Sequence, residues 1–425
     1  MTRQGMDLDC QNTVDRLLRE FLISDRITRH DNRNRQMQNQ MAPNHPEETN
    51  MKKMATCYRL NKGANLGMKN QPRTFGGSVC RKTGCGTIRC RFALAIAVLL
   101  VAGCLHPLMA RDSQGITKKT EQAIDVGLTF LSGNQNENGS FGEGANAGNV
   151  GVVSLAGMAF MSQGSLPGKG KYGNELKKIV RFLLNHCQEN GFINNPMSET
   201  HGPMYGHGFA TLFLAEAYGA YPNPELRSKL GKAIQLIIDT QNPEGGWRYQ
   251  PQRSDADLSV TICQVMALRA ARNAGIYVPN STIQRCVDYV RKSQNPDGGF
   301  RYILKPGSSA FPRTAAGIVA LYSAGIYEGP EISKGLQYLE DHRPGREPGL
   351  EESHYFYGHY YAVQAMWQAG GKRWKTWYPS VRDELLELQN SQSGSWTDPV
   401  SEEYGTAMAS IILQMPNNYL PIFQR

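Results

Sequence analysis

Beyond about Thr117, apolar residues recur every three or four positions along most of the chain, the spacing that gathers them on one face of a helix. One unit shows the plan. Leu230, Ala233, Ile234, Ile237 and Ile238 form a single apolar stripe, which stops at Gln241-Asn242-Pro243-Glu244-Gly245-Gly246-Trp247. There Pro presets one corner of a turn and Gly supplies the left-handed one, so the chain reverses tightly. Asp255-Ala256-Asp257 then offers N-cap oxygens to a second, more apolar helix from Leu258 to Ala274. The more apolar helix is the one expected inside.

The unit repeats. Further turns read Gln135-Asn136 to Ser140-Phe141, Gln188-Glu189-Asn190-Gly191-Phe192, Gln294-Asn295-Pro296-Asp297-Gly298-Gly299-Phe300 and Gln392-Ser393-Gly394-Ser395-Trp396. Their aromatics stand 51, 55, 53 and 96 residues apart, the last interval spanning a fifth unit, Glu331 to Tyr378, that keeps both helical patterns but loses the turn. A period near 50 with two helices per unit predicts an array of αα-hairpins. First helices are expected near 118–133, 175–187, 226–240, 282–293, 331–341 and 380–390, and second helices near 148–163, 207–220, 258–274, 314–325, 357–370 and 404–415. Closure would bury the apolar faces that an open solenoid exposes at its ends, and no polar capping unit is visible. The predicted fold is all-α, an (α/α)6 toroid over residues 111–425 with the second helices around a central cavity.

Charge separates a leader from this unit. Residues 1–110 hold 17 Lys and Arg against 8 Asp and Glu, leaving 29 of each sign in 111–425. The basic balance therefore belongs to the leader and gives no support for binding nucleic acid. Residues 1–91 read as a disordered basic leader, partly an overlong gene start because Met68 would open a conventional one. Residues 92–105 (FALAIAVLLVAGCL) are apolar without interruption after Arg89 and Arg91. That run is shorter than the roughly 20 residues of a membrane helix and suits the apolar region of a secretory signal peptide. The chain is expected to be exported, periplasmic or membrane-anchored. Val101-Ala102-Gly103-Cys104 resembles a bacterial lipobox, which would anchor the chain through a lipid on Cys104; ordinary cleavage after Leu108-Met109-Ala110 is the alternative. Of nine cysteines, Cys187, Cys263 and Cys286 fall in helical patterns of the repeat region and are expected as buried free thiols.

Lys232-Ala233 through Trp247 closely resembles the QW motif of squalene-hopene and oxidosqualene cyclases, as does Arg285 to Phe300 with Phe in place of Trp. The same toroid with Gly-Gly-Phe turns occurs in protein prenyltransferase β subunits. The resemblance, to the prenyltransferase/squalene oxidase repeat superfamily, covers about residues 117–425 and concerns structural staples more than a reaction. It implies that Asp257 fills the position of the proton-donating acid in the cyclases' Asp-x-Asp-Asp motif, with Asp255 the first carboxylate; Leu258 replaces the last. The prenyltransferase zinc set is not reproduced, since Asp257 falls where the Cys would be and Gly358, beside His359, near the His. No metal and no cofactor is implied.

Residues just before each second helix should ring one end of the cavity. They are Asn149, Tyr205-Gly206-His207, Asp255 and Asp257, Arg313, His354 with Tyr357-Gly358-His359, and Glu402-Glu403-Tyr404. Asp257, Asp255, His207 and His359 are the catalytic candidates; Tyr205, Arg313, Tyr357, His354, Glu402, Tyr404 and Trp247 are the substrate-binding ones. Helix capping and loop packing are the competing roles for each. Three functions stay open. In the first, two neighbouring carboxylates keep one proton, His207 or His359 is a hydrogen-bond partner, and the proton starts cyclisation of an apolar isoprenoid or lipid ligand beneath aromatic rings. The second is a secreted carbohydrate-active enzyme, and the third a non-catalytic binding or scaffold toroid.

Overall fold

The computed structural model describes residues 115–424 except 145–146, 199–201 and 345–353. The leader, the apolar run at 92–105 and Cys104 lie outside the described residues. Twelve α-helices are present among the described residues, in six hairpins. The first helices are α1 (Lys118–Gly133), α3 (Gly173–Asn185), α5 (Pro224–Thr240), α7 (Asn280–Lys292), α9 (Pro330–Asp341) and α11 (Gly371–Leu388). The second helices are α2 (Val150–Ser162), α4 (Pro203–Ala220), α6 (Leu258–Asn273), α8 (Phe311–Ser323), α10 (Tyr355–Ala369) and α12 (Glu402–Leu413). Each second helix packs on the second helices before and after it, and α12 packs back on α2, so the inner ring is closed. The expected toroid is therefore present, with the more apolar helices inside. All thirteen residues of α2 are buried, whereas α5 buries a single stripe, Leu226, Leu230, Ala233, Ile234 and Ile237 among it.

The turn glutamines explain how hairpins join. Gln241 Nε2 donates to Gly245 O of its own turn at 2.8 Å and to Thr282 O of the next outer helix at 2.9 Å. Gln294 does the same with Gly298 O and Glu331 O at 2.9 and 2.8 Å. In the sixth unit the donor is Gln389, not Gln392, and its second acceptor is Ala123 O of α1 at 2.9 Å. Gln135 makes the same pair of bonds in the first unit, so a glutamine links neighbours at four of the six hairpins and seals the seam between the last and the first. Gly245, at φ 103°, must be glycine, because a Cβ there would lie 2.1 Å from Arg285 O.

The turn aromatics pack between layers. Trp247 Nε1 donates to Ile237 O and Trp396 Nε1 to Leu385 O, each at 2.7 Å. Their backbone N–H groups donate to Thr261 and Thr406 hydroxyls at 3.0 Å, and Phe300 N donates to Thr314 in the same way. In the second hairpin the aligned residue is Ile193, one place beyond Phe192.

Two other expectations are corrected. Helix α11 begins nine residues before the predicted 380, because the chain stays helical through Pro379. Proline ordinarily breaks a helix, but here Trp374, Trp377 and Tyr378 before it and Val381 and Leu385 after it pin both sides in the core, and Tyr378 OH donates to Leu413 O at 2.7 Å. Cys263 and Cys286 are buried free thiols as expected, while Cys187 is only half-buried.

Candidate functional site at the rim of the inner ring

The N-termini of the inner helices form one rim, and Asp257 is its buried acid. As N-cap of α6 it accepts from Val260 N at 2.8 Å through Oδ1. Its Oδ2 accepts from Tyr302 OH at 3.2 Å and stands 3.8 Å from Arg248 Nε. The residue is fully buried. Burial raises its carboxyl to about 6, and the Val260 N–H, the Arg248 charge and the Tyr302 hydroxyl oppose that rise.

Backbone pairing explains why Tyr302 reaches Asp257. Two consecutive loops that follow turns lie over the rim of the preceding inner helix: Tyr249 O accepts from Met204 N of α4 at 3.1 Å, and Tyr302 O accepts from Leu258 N of α6 at 2.9 Å. The two loops are shingled side by side, so the Tyr249 and Tyr302 hydroxyls meet and continue the hydrogen-bonded line from Asp257. Arg248 lies over both rings, 5.1 Å from the centroid of Tyr249 and 5.9 Å from that of Tyr302. None of these three residues was among the candidates. Their signal was the triplet aromatic-Arg-Tyr, Trp247-Arg248-Tyr249 and Phe300-Arg301-Tyr302, repeated at the same place in consecutive units.

Several candidates sit elsewhere than expected. Asp255 is exposed and ion-paired with Arg248, so burial rather than a neighbouring carboxylate raises Asp257. His207 and His359 are fully buried and face the outer layer. His207 Nδ1 accepts from Ile193 N at 3.1 Å, the staple that Thr261, Thr314 and Thr406 make in other hairpins. His359 packs on Phe311, Tyr355 and Trp377, 4.5 to 6.2 Å between ring centroids. The cause is helical geometry: in Tyr-Gly-His the ends are two residues apart, about 200° round the helix, so when Tyr faces the axis His faces away. Burial lowers His207 to about 4 and His359 to about 3, keeping both neutral. Trp247 packs its indole between layers, while its backbone O accepts from Asp257 N at 3.0 Å.

The tyrosines do converge. Tyr205 lies 6.2 Å from Tyr249 between ring centroids. Tyr357 OH donates across the ring to Ser259 O of α6 at 2.9 Å. Tyr205, Tyr357 and Tyr404 are half-buried in the first turns of α4, α10 and α12, and burial raises all three hydroxyls, Asp257 adding to the rise for the first two. Below them Phe209 meets Tyr360 edge to face at 6.1 Å, and Tyr361 OH lies 3.3 Å from Cys263 Sγ. These contacts cross the ring, so side chains fill the expected central cavity at this depth. Arg313 donates to Ser308 O at 3.0 Å from the first turn of α8. Asn149 caps α2, Glu402 is exposed, and His354 is exposed with a left-handed φ of 84°. Among the described residues no three His, Cys, Asp or Glu converge to hold a metal ion.

The Prenyltransferase alpha-alpha toroid domain matches residues 43–230 and the Squalene-hopene cyclase C-terminal domain residues 210–368. The two matches follow one another along the chain, which resembles the prenyltransferase/squalene oxidase repeat superfamily and has a terpene cyclase-like α/α toroid. Protostadienol synthase A of Arthroderma gypseum is 25% identical over 135 residues, 29% of this chain and 18% of that protein. The match therefore spans about a fifth of that relative's length. The type II terpene cyclase MstE from Scytonema superposes with a TM-score of 0.52 at 17% identity, covering 71% of this chain and 99% of that one. A variant of it was solved with the substrate geranylgeranyl dihydroxybenzoate. Cellobiose 2-epimerase from Spirochaeta thermophila superposes as well, with a TM-score of 0.53 at 12% identity over 71% of this chain and 96% of that one. At such identities these likenesses establish fold alone.

Proposed function

We propose that the chain binds an apolar isoprenoid-type molecule at the rim of the inner ring and that Asp257 protonates one of its alkenes, as in an intramolecular isomerase of the class II terpene cyclase kind. The observation that carries this reading is a buried carboxyl held near 6, hydrogen-bonded to Tyr302 and with its charge felt at the Tyr205 and Tyr357 hydroxyls. An acid raised that far holds a usable share of its proton near neutrality, and the ring faces favour positive charge where a carbocation would form. The proton leaves Asp257, directly or through the Tyr302 hydroxyl, for one alkene carbon. The cation on the other carbon is captured by a second alkene of the same chain, and loss of a proton from the product cation restores the balance. Tyr302 and Tyr249 give the carboxylate a path to recover its proton. The same reading takes the chain as exported by its leader and anchored to a membrane through Cys104, where neutral isoprenoids dissolved in the bilayer are within reach.

A second reading, a carbohydrate-active enzyme, is favoured by the superposition on cellobiose 2-epimerase, which is as good as that on the terpene cyclase. Mass spectrometry of what co-purifies with the full chain separates them. An isoprenoid lipid is expected; a bound sugar would favour the alternative, and nothing bound together with no isoprenoid uptake would leave a non-catalytic toroid.

A further inference from the structure

We propose that Arg248 is a movable cover over Asp257, latched by Asp255, and that a ligand reaches the acid only when this cover swings out. The inference rests on the assignment of Asp257 as the acid and adds how a fully buried carboxyl is reached. Asp257 has no solvent exposure, whereas the side chains of Arg248 and Asp255 are 31% and 52% exposed. The Arg248 guanidinium bonds Asp255 through Nη1, lies over the rings of Tyr249 and Tyr302, and stands with Nε 3.8 Å from Asp257 Oδ2. The other groups on Asp257 are fixed by backbone: Val260 N and Trp247 O belong to the start of α6 and its turn, and Tyr302 is tied by its own O to Leu258 N. Arg248 has no such tie, since among the described residues its hydrogen-bond partner is the exposed Asp255. An exposed ion pair is weak, so the side chain can leave at little cost.

Opening also arms the acid. Facing Asp257 are Arg248, Tyr205, Tyr289, Tyr302, Tyr357 and Cys263, and of these Arg248 alone is charged at neutral pH. Its cation opposes protonation of Asp257, while burial favours it. An apolar ligand that displaces Arg248 removes the cation and keeps water out, so Asp257 holds its proton more firmly once the ligand is seated.

Carbodiimide coupling of glycinamide to the carboxyl groups of the full chain, located by tandem mass spectrometry, reads the cover without any ligand. Counted in chains whose Asp255 is still unlabelled, Asp257 of the wild type should react slowly. Asp255→Asn should label Asp257 about fivefold faster, the weight of an exposed ion pair, and Arg248→Ala faster still, while Asp255→Glu restores protection. Salt at about 1 M, which screens the pair, should act on the wild type as Asp255→Asn does. Glu384 of α11, buried and bonded to Arg343 and Tyr355, reports general loosening and should stay slow throughout. Equal rates at Asp257 in the wild type, Asp255→Asn and Arg248→Ala would overturn the cover, as would labelling of Glu384 that rises in step with Asp257. Should Arg248→Ala fail to fold, Asp255→Asn decides alone, because its side chain lies at the surface. No isoprenoid enters the measurement, so a failed cover leaves the proposed reaction standing, and a missing turnover leaves the cover standing.

Discussion

Asp257 combines two roles that a single substitution separates. Its Oδ1 caps α6 and its Oδ2 meets Tyr302, and asparagine can keep the cap without the acid. Asp257→Asn is expected to abolish turnover while leaving the melting temperature at pH 7.5 unchanged or higher, since a buried charge is removed. The wild-type rate should climb as pH falls through about 6, where the carboxyl gains its proton. For stability the same shift favours the folded chain as pH drops below 6, because the folded state takes up the proton before the unfolded state does. The histidines act in the opposite direction. His207 and His359 are held neutral down to about 4 and 3, so the unfolded chain binds protons first as pH falls from about 6.5. Glu216, buried and raised to about 7, gains stability with Asp257 over the same range, so chemical denaturation from pH 7.5 to 5 should show the two effects nearly cancelling in the wild type and a net gain of about 2 kcal/mol in His207→Asn. At this scale the sequence singled out Asp257 as the candidate acid but not the residues that bond it. Asp257 was legible from a motif, whereas Tyr302 reaches it only because a loop from the next hairpin pairs with Leu258 N.

At the scale of the element, what repeats is the staple. Gln241, Gln294 and Gln389 each satisfy carbonyls on two hairpins, so truncation to alanine strands buried groups. A loss of about 1–3 kcal/mol per site is expected, measured by urea unfolding. Trp396, fully buried with its indole N–H on Leu385 O, should cost more, about 3–5 kcal/mol as alanine. Helix existence and layer were readable from apolar periodicity, since α2 is apolar on every side and α5 on one. The start of α11 was not, because Pro379 looks like a boundary and only tertiary packing carries the helix through it. Nor was the facing of Tyr-Gly-His read correctly, although two residues of helix separate the ends by more than half a turn.

For the whole molecule, closure determines whether there is a site at all. The seam is held by Gln389 on Ala123 O, Arg382 on Gly115 O and Gln414 on Ala159 O, all between the last hairpin and the first. Opening it would separate α12 from α2 and take Tyr404 away from the rest of the rim. Gln389→Ala combined with Gln414→Ala is therefore expected to weaken ligand binding as well as stability, although neither residue lies at the rim. The central claim is that Asp257 delivers a proton to an isoprenoid alkene. Turnover of farnesol in deuterated buffer, with products read by gas chromatography and mass spectrometry, tests it most directly. The account predicts a cyclised product bearing carbon-bound deuterium from the wild type and none from Asp257→Asn; cyclisation persisting in the variant, or absent from the wild type, would contradict it.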